Sequence, residues 1–176
     1  MSPNEELQEH AHHAHDSFDK SVAVTMAIIA AILATVSVAA HVFSNEELLE
    51  QQKASDLWAE YQGKSGRRYA SEIARDTFRA MQTGASAVEL ADKYEREVER
   101  YKKDGEELQT EARKLEAESK LKGRQALRMD MGEVFLEIGI VFASLAILSK
   151  RRPIWYLAMA SAAVGLGISL TAVFVK

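Results

Sequence analysis

Apolar and polar positions along this chain are sorted into blocks that differ in period as well as in content. Residues 22–43 read VAVTMAIIAAILATVSVAAHVF, 22 residues with no charge and one histidine near the end. Residues 154–175 form a second uncharged run of 22, with Trp155 and Tyr156 at its start. About 20 such residues in a helix cross a hydrocarbon core, and the two rings suit the headgroup level. Residues 134–148 are a shorter run of 15 that contains Glu137. Extended by Met131 and Gly132, with Lys150 and Arg151 reaching back to the interface, it just spans. A buried or interfacial helix is the competing reading of so short a run. For the first run the competitor is a cleaved signal peptide, since SVAAH offers small residues. The acidic tail before it and the length of the run favour an uncleaved anchor.

The block between is of another kind. Residues 44–133 carry 17 of the 22 Lys/Arg and 20 of the 26 Asp/Glu. From residue 87 the pattern repeats in sevens. One core position reads Ala91, Val98, Gly105, Ala112, Ser119, Ala126, and the other Tyr94, Tyr101, Leu108, Leu115, Lys122, Met129. A small seam beside a large one suits close approach of a second helix. Acids precede bases by four at Glu89/Lys93, Asp92/Arg96, Glu99/Lys103, Glu116/Lys120 and Glu118/Lys122, each pair adding about 0.2–0.5 kcal/mol to a solvated face. The preceding segment is expected to pack through Leu48, Gln52, Ser55, Ala59, Gln62, Gly66, Tyr69 and Ile73. Between the two lies TGASAVE. Gly84 can end a helix in the left-handed region, and Ser86 with Glu89 makes a capping box for the next one.

The prediction is an antiparallel, coiled-coil-like hairpin with arms 46–82 and 87–133, roughly 55 and 70 Å long. Gln52, Ser55, Gln62, Gly105 and Ser119 make a poor dry core for two helices, so lateral packing against other copies or a membrane-protein partner is expected.

The stretch SKRRP, 149–153, is the tight turn between the last two apolar runs. Lys150, Arg151 and Arg152 in so short a loop resist translocation and place it in the cytoplasm. Pro153 fits the first turn of the following helix. Counting crossings puts the acidic, His-rich tail 1–17 inside and the charged hairpin outside, in the periplasm of a Gram-negative cell. Lys20 before the first run and Glu46, Glu47 and Glu50 after it agree. Lys120, Lys122, Arg124 and Arg128 run against it, although long segments cross largely regardless of charge.

Net charge of -4 gives no field for nucleic acid, and the absence of cysteine removes disulfides, thiolate nucleophiles and Cys-held metals. GKS at 63–65 lacks the earlier glycine and the preceding strand of a phosphate loop. His10, His12, His13 and His15 could hold a transition metal; an adventitiously binding tail is the plainer reading. Glu137 is either an intramembrane proton or cation site or a carboxyl near the outer headgroups, within reach of Arg128. Small residues recur every four positions at Ala23/Ala27/Ala31, Ala30/Ala34, Gly139/Ala143 and Ser161/Gly165/Ser169, which lets helices approach closely within a protomer or between protomers. No nucleophile–base set is present, so no enzyme and no cofactor are expected.

FDKSVAVTMAIIAAILATVS (18–37) and EELLEQQKASDLWAEYQGKS (46–65), with the three-run layout, resemble the bacterial domain-of-unknown-function family 4337 over nearly the whole chain. The resemblance implies a small inner-membrane protein and transfers no activity. It marks 51–65 as a signature, which makes Gln52, Ser55, Asp56, Trp58, Tyr61, Gln62 and Ser65 the candidate interaction surface. The expectation is therefore an all-α integral membrane protein with spans at 18–43, 134–148 and 154–175, a bilayer as its solvent and other copies as partners. It would serve as a non-enzymatic scaffold. Conduction through Glu137 and metal response through the tail are the alternatives.

Overall fold

The computed structural model describes the backbone of residues 3–81 and 84–175, with side chains from residue 17 onward. Every element among the described residues is helical: α1 Pro3–Met81, α2 Ala85–Ser149, α3 Arg152–Thr171, and a short 3-10 turn Ala172–Phe174. The apolar and charged blocks are therefore not separate elements. α1 and α2 each run from one block into the other without a break: neither border carries a proline, and in α1 strong helix formers fill positions 46–53 just past it. Three helical segments, within Ser17–Met81, Ala85–Ser149 and Arg152–Phe174, are long and apolar enough to cross a membrane.

The chain divides into two compact units, one of residues 1–45 with 121–176 and one of residues 46–120. In the apolar unit Ile29, Val36, Ala40, Met129, Leu136 and Ala172 form one core cluster, and Val22, Ala143, Ala146 and Ala158 a second. The small-residue repeats divide sharply. Gly139, Ala143, Gly165 and Ser169 are buried, whereas Ala23, Ala27, Ala30, Ala31 and Ala34 are exposed. Gly139 of α2 and Gly165 of α3 thus serve contact within the protomer. A Cβ at Gly165 would lie 2.7 Å from the Gly132 carbonyl oxygen, and the Ser161 hydroxyl donates to the Phe135 carbonyl at 2.7 Å.

The turn after α2 holds Lys150 at φ 57, a left-handed conformation that disfavours any residue with a Cβ. Its ammonium is anchored on the Asp19 carboxylate. Arg151 precedes α3, accepts from the Ile154 N–H, and Pro153 sits in the first turn as its missing donor requires. Trp155 is wedged between helices, edge-on to Phe18 at 6.0 Å and donating to Thr25 Oγ1 at 3.2 Å. Tyr156 beside it is exposed.

In the charged unit the two arms pack antiparallel, since residues rising along α1 meet residues falling along α2: Trp58 with Glu116, Lys64 with Asp104, Ser71 with Glu97. The α2 seam is as its sevenfold pattern predicts. Ala91, Val98, Gly105, Ala112 and Ser119 are all buried, and Tyr94, Tyr101, Leu108 and Leu115 half-buried beside them. The α1 stripe is not. Leu48, Gln52, Ser55, Ala59, Gln62, Gly66, Tyr69 and Ile73 are all exposed. The buried face of α1 lies opposite, through Ala54, Leu57, Trp58, Tyr61, Ser71 and Phe78, with Lys64, Arg68 and Arg75 interspersed. Large apolar side chains and cations with partners outweigh an uncharged stripe in which small and polar residues outnumber large apolar ones. The helix start also differs from the capping-box expectation. α2 begins at Ala85, one residue before Ser86, with the Ala87 N–H on the Gly84 carbonyl at 3.1 Å. Gly84 has φ +86, the left-handed value expected of a helix-ending glycine.

Candidate interaction site

The signature stretch 51–65 lies wholly within α1, so its side chains distribute around a helix instead of converging on a loop. Two of them lock the hairpin. The Trp58 indole N–H donates to Glu116 Oε1 at 2.8 Å, and the ring meets Tyr61 edge-on at 5.6 Å. Tyr61 in turn lies over Gly105, where a Cβ would be 3.4 Å from the ring. This is the large-over-small packing that the α2 seam calls for. Ser65 is half-buried. Gln52, Ser55, Asp56 and Gln62 point away from the hairpin, are exposed, and make no hydrogen bond among the described residues. The predicted surface is thus divided between an inner pair and an outer polar face.

The inner face stays charged toward the tip of the hairpin. Lys64 bridges Asp104 at 3.2 Å and Glu60 at 3.3 Å. Its hydrogen bond to Asp104 raises its pKa above the ordinary lysine value despite some desolvation. GKS therefore lies mid-helix with its lysine engaged across the hairpin. Further along, Ser71 donates to Glu97 at 3.2 Å, Arg75 and Arg79 share Glu95, and Phe78 stacks on Tyr94 at 5.8 Å.

Arg75 also donates to Asp76 at 2.9 Å, which holds the Asp76 carboxyl below its ordinary value of 3.8. A depressed carboxylate stabilises the fold above its unfolded pKa, and that contribution is lost as pH falls through the folded value. Asp76 is solvent-exposed and Arg75 only partly covered, so the effect is small and screened by salt. Hairpin unfolding midpoints measured from pH 6 down to pH 2 should fall less steeply below about pH 4 in Asp76→Asn than in the parent chain. Identical slopes would show that the pair contributes nothing.

Glu137 lies on an exposed face of α2 in the apolar unit and has no hydrogen bond or ion pair among the described residues, Arg128 included. Lys150, Arg151 and Arg152 form the α2–α3 turn as described. His10, His12, His13 and His15 fall outside the residues whose side chains are described; elsewhere no cluster of three His, Asp or Glu side chains suited to a metal is present among those that are.

Sequence reasoning missed the inner cation row of Lys64, Arg68 and Arg75. The signal available was its spacing: Glu47, Ala54, Tyr61, Arg68 and Arg75 recur every seven residues.

A family model described as a domain of unknown function (DUF4337) matches residues 18–175. No curated protein and no solved structure matches the chain.

Proposed function

Since the chain belongs to the DUF4337 family, whose description assigns no activity, we propose from its own geometry that it is a self-associating scaffold of a bacterial cytoplasmic membrane. Its three apolar helices would anchor it there, with Lys150, Arg151 and Arg152 on the cytoplasmic side and the hairpin outside. It would act by assembling copies rather than by catalysis. The observation that carries this reading is the division of the signature stretch. Trp58 and Tyr61 are used up in closing the hairpin, while Gln52, Ser55 and Gln62 project outward with nothing on them. Lipid supports the anchored part, where the exposed Val24, Ile28, Val141, Leu145 and Leu170 would otherwise face water.

A conducting role for Glu137 needs the same association, because within one protomer its carboxylate lies on an uncovered face. The test is the particle mass in mild detergent and in lipid nanodiscs, with bound lipid subtracted. A defined oligomer is expected. A strictly monomeric particle in both would overturn the proposal.

A further inference from the structure

We infer that the outward face of α1 between Leu48 and Ile73 is a second helix seam, occupied by the same face of another copy running parallel to it. This rests on the self-association proposed above and names its surface.

The stripe from Leu48 through Ala59 and Gly66 to Ile73 advances by alternate steps of four and three residues, the spacing of a coiled-coil seam. All eight of its positions are exposed and none is charged. The hairpin contains its own comparison. On α2 the stripe directly opposite the buried seam, from Lys93 through Lys103 to Ala117, is equally exposed, and six of its eight positions are charged. That is how a solvated face of this hairpin is composed. The α1 stripe is composed differently, and α1 thus carries two seams on opposite sides, one of them covered by α2.

Gly63 and Gly66 supply a separate observation. Glycine weakens a helix interior relative to alanine, and a Cβ at either position would meet nothing within 4 Å in the chain. Gly105, by contrast, receives the Tyr61 ring. A neighbouring helix passing close to Gly63 and Gly66 gives them the role that the protomer does not.

The charges flanking the stripe fit a second copy in parallel. Copies held in one bilayer enter the hairpin from the same end of α1, so their α1 helices run the same way. Flanking positions at matching levels of such a pair are five residues apart: Gln51 with Asp56, Ser65 with Ala70, Glu72 with Thr77, and Gly63 opposite Trp58, whose ring stays turned to Glu116. None is a like-charge pair. Gln52 and Gln62 within the seam set its register at some loss of affinity, and confinement to a membrane offsets that loss by raising the effective concentration.

The chain has no cysteine, so a single introduced thiol reports one position. Ser55→Cys and Gln62→Cys in the full chain, in native membranes with a mild oxidant, should form disulfide dimers. Identical residues of a parallel seam come within the roughly 7 Å Cα separation that a disulfide needs. Arg96→Cys and Lys103→Cys on α2 are the exposed controls. The dimer fraction at the stripe should exceed the controls about tenfold. Adding Ala59→Glu should return it to the control level with far-UV circular dichroism unchanged, because facing carboxylates at one level repel. Equal crosslinking at stripe and control, or none at the stripe, overturns this seam. The mass of the uncrosslinked particle from the same preparation separates the two proposals. An oligomer without stripe crosslinks sinks this surface alone, and a monomer sinks self-association with it.

Discussion

Valine in place of Gly165 is expected to force α2 and α3 apart and to destabilise the apolar unit by about 2–4 kcal/mol. A Cβ there would lie 2.7 Å from the Gly132 carbonyl oxygen and 3.1 Å from both the backbone nitrogen and Cγ of Leu136. Two of those atoms are backbone and cannot turn aside. The crossing is equally tight from the other side, since a Cβ on Gly132 would collide with Ser169 Oγ and come within 2.7 Å of the Gly165 carbonyl oxygen. Separation would also break the 2.7 Å hydrogen bond from Ser161 to the Phe135 carbonyl, leaving a polar pair unmet at an apolar crossing. Unfolding by SDS in mixed micelles, followed by near-UV circular dichroism, reads the loss. Gly167→Val is the matched control, because nothing lies within 4 Å of that position, and it should stay within about 0.5 kcal/mol of the parent. Equal behaviour of the two variants would mean that the crossing is not as close as described.

Trp58→Ala should have the largest effect in the hairpin, a loss of about 2–3 kcal/mol, below the full range for a core tryptophan because the ring is only half-buried. The ring packs on Tyr61, and its N–H satisfies Glu116 across the hairpin. Trp58→Phe separates these contributions. It keeps an aromatic ring against Tyr61 but leaves Glu116 without its donor, and should lose about 1 kcal/mol. Thermal unfolding of the intact protein followed at 222 nm would show the alanine variant melting about 10 °C or more below the parent and the phenylalanine variant between them. If Trp58→Ala melts with the parent, the indole lies outside the packing of the hairpin, and the inner half of the signature stretch has been misplaced.

How far the fold could be read beforehand differs between the two arms, and the reason is physical. On α2, charges occupy nearly every position outside the sevenfold pattern, so only the stripe from Ala91 to Ser119 could be buried, and it is. On α1 two stripes compete. The rule of burying the least charged face selects Leu48 to Ile73, yet the face taken by α2 contains Lys64, Arg68 and Arg75. Lys64 meets Asp104 and Arg75 meets Glu95 across the hairpin, while Trp58, Tyr61 and Phe78 supply the apolar area. Whether a cation will find a partner depends on a residue 20 to 40 positions away, which no local period encodes. The capping box failed for a related reason. Gly84 already supplied the turn, so α2 starts one residue before Ser86, and the Ser86 and Glu89 side chains are left exposed.

The candidate surface was legible as a stretch but not as a surface. Residues 51–65 are one run in the chain, and helical geometry sends Trp58 and Tyr61 inward while Gln52, Ser55, Asp56 and Gln62 go outward.

From the amino-acid order alone follow the three apolar runs, the all-helical class, the α2 seam, the glycine-ended helix before residue 85 and the proline-led start of α3. Each depends on neighbours within a few turns, where composition and period act directly. The tertiary structure decided which small-residue stripes close the protomer, which face of α1 meets α2, and that both long helices pass unbroken between the apolar and charged blocks. Those outcomes depend on pairings between residues far apart in the chain, where one helix's shape and charge select among faces that its own sequence leaves equally available.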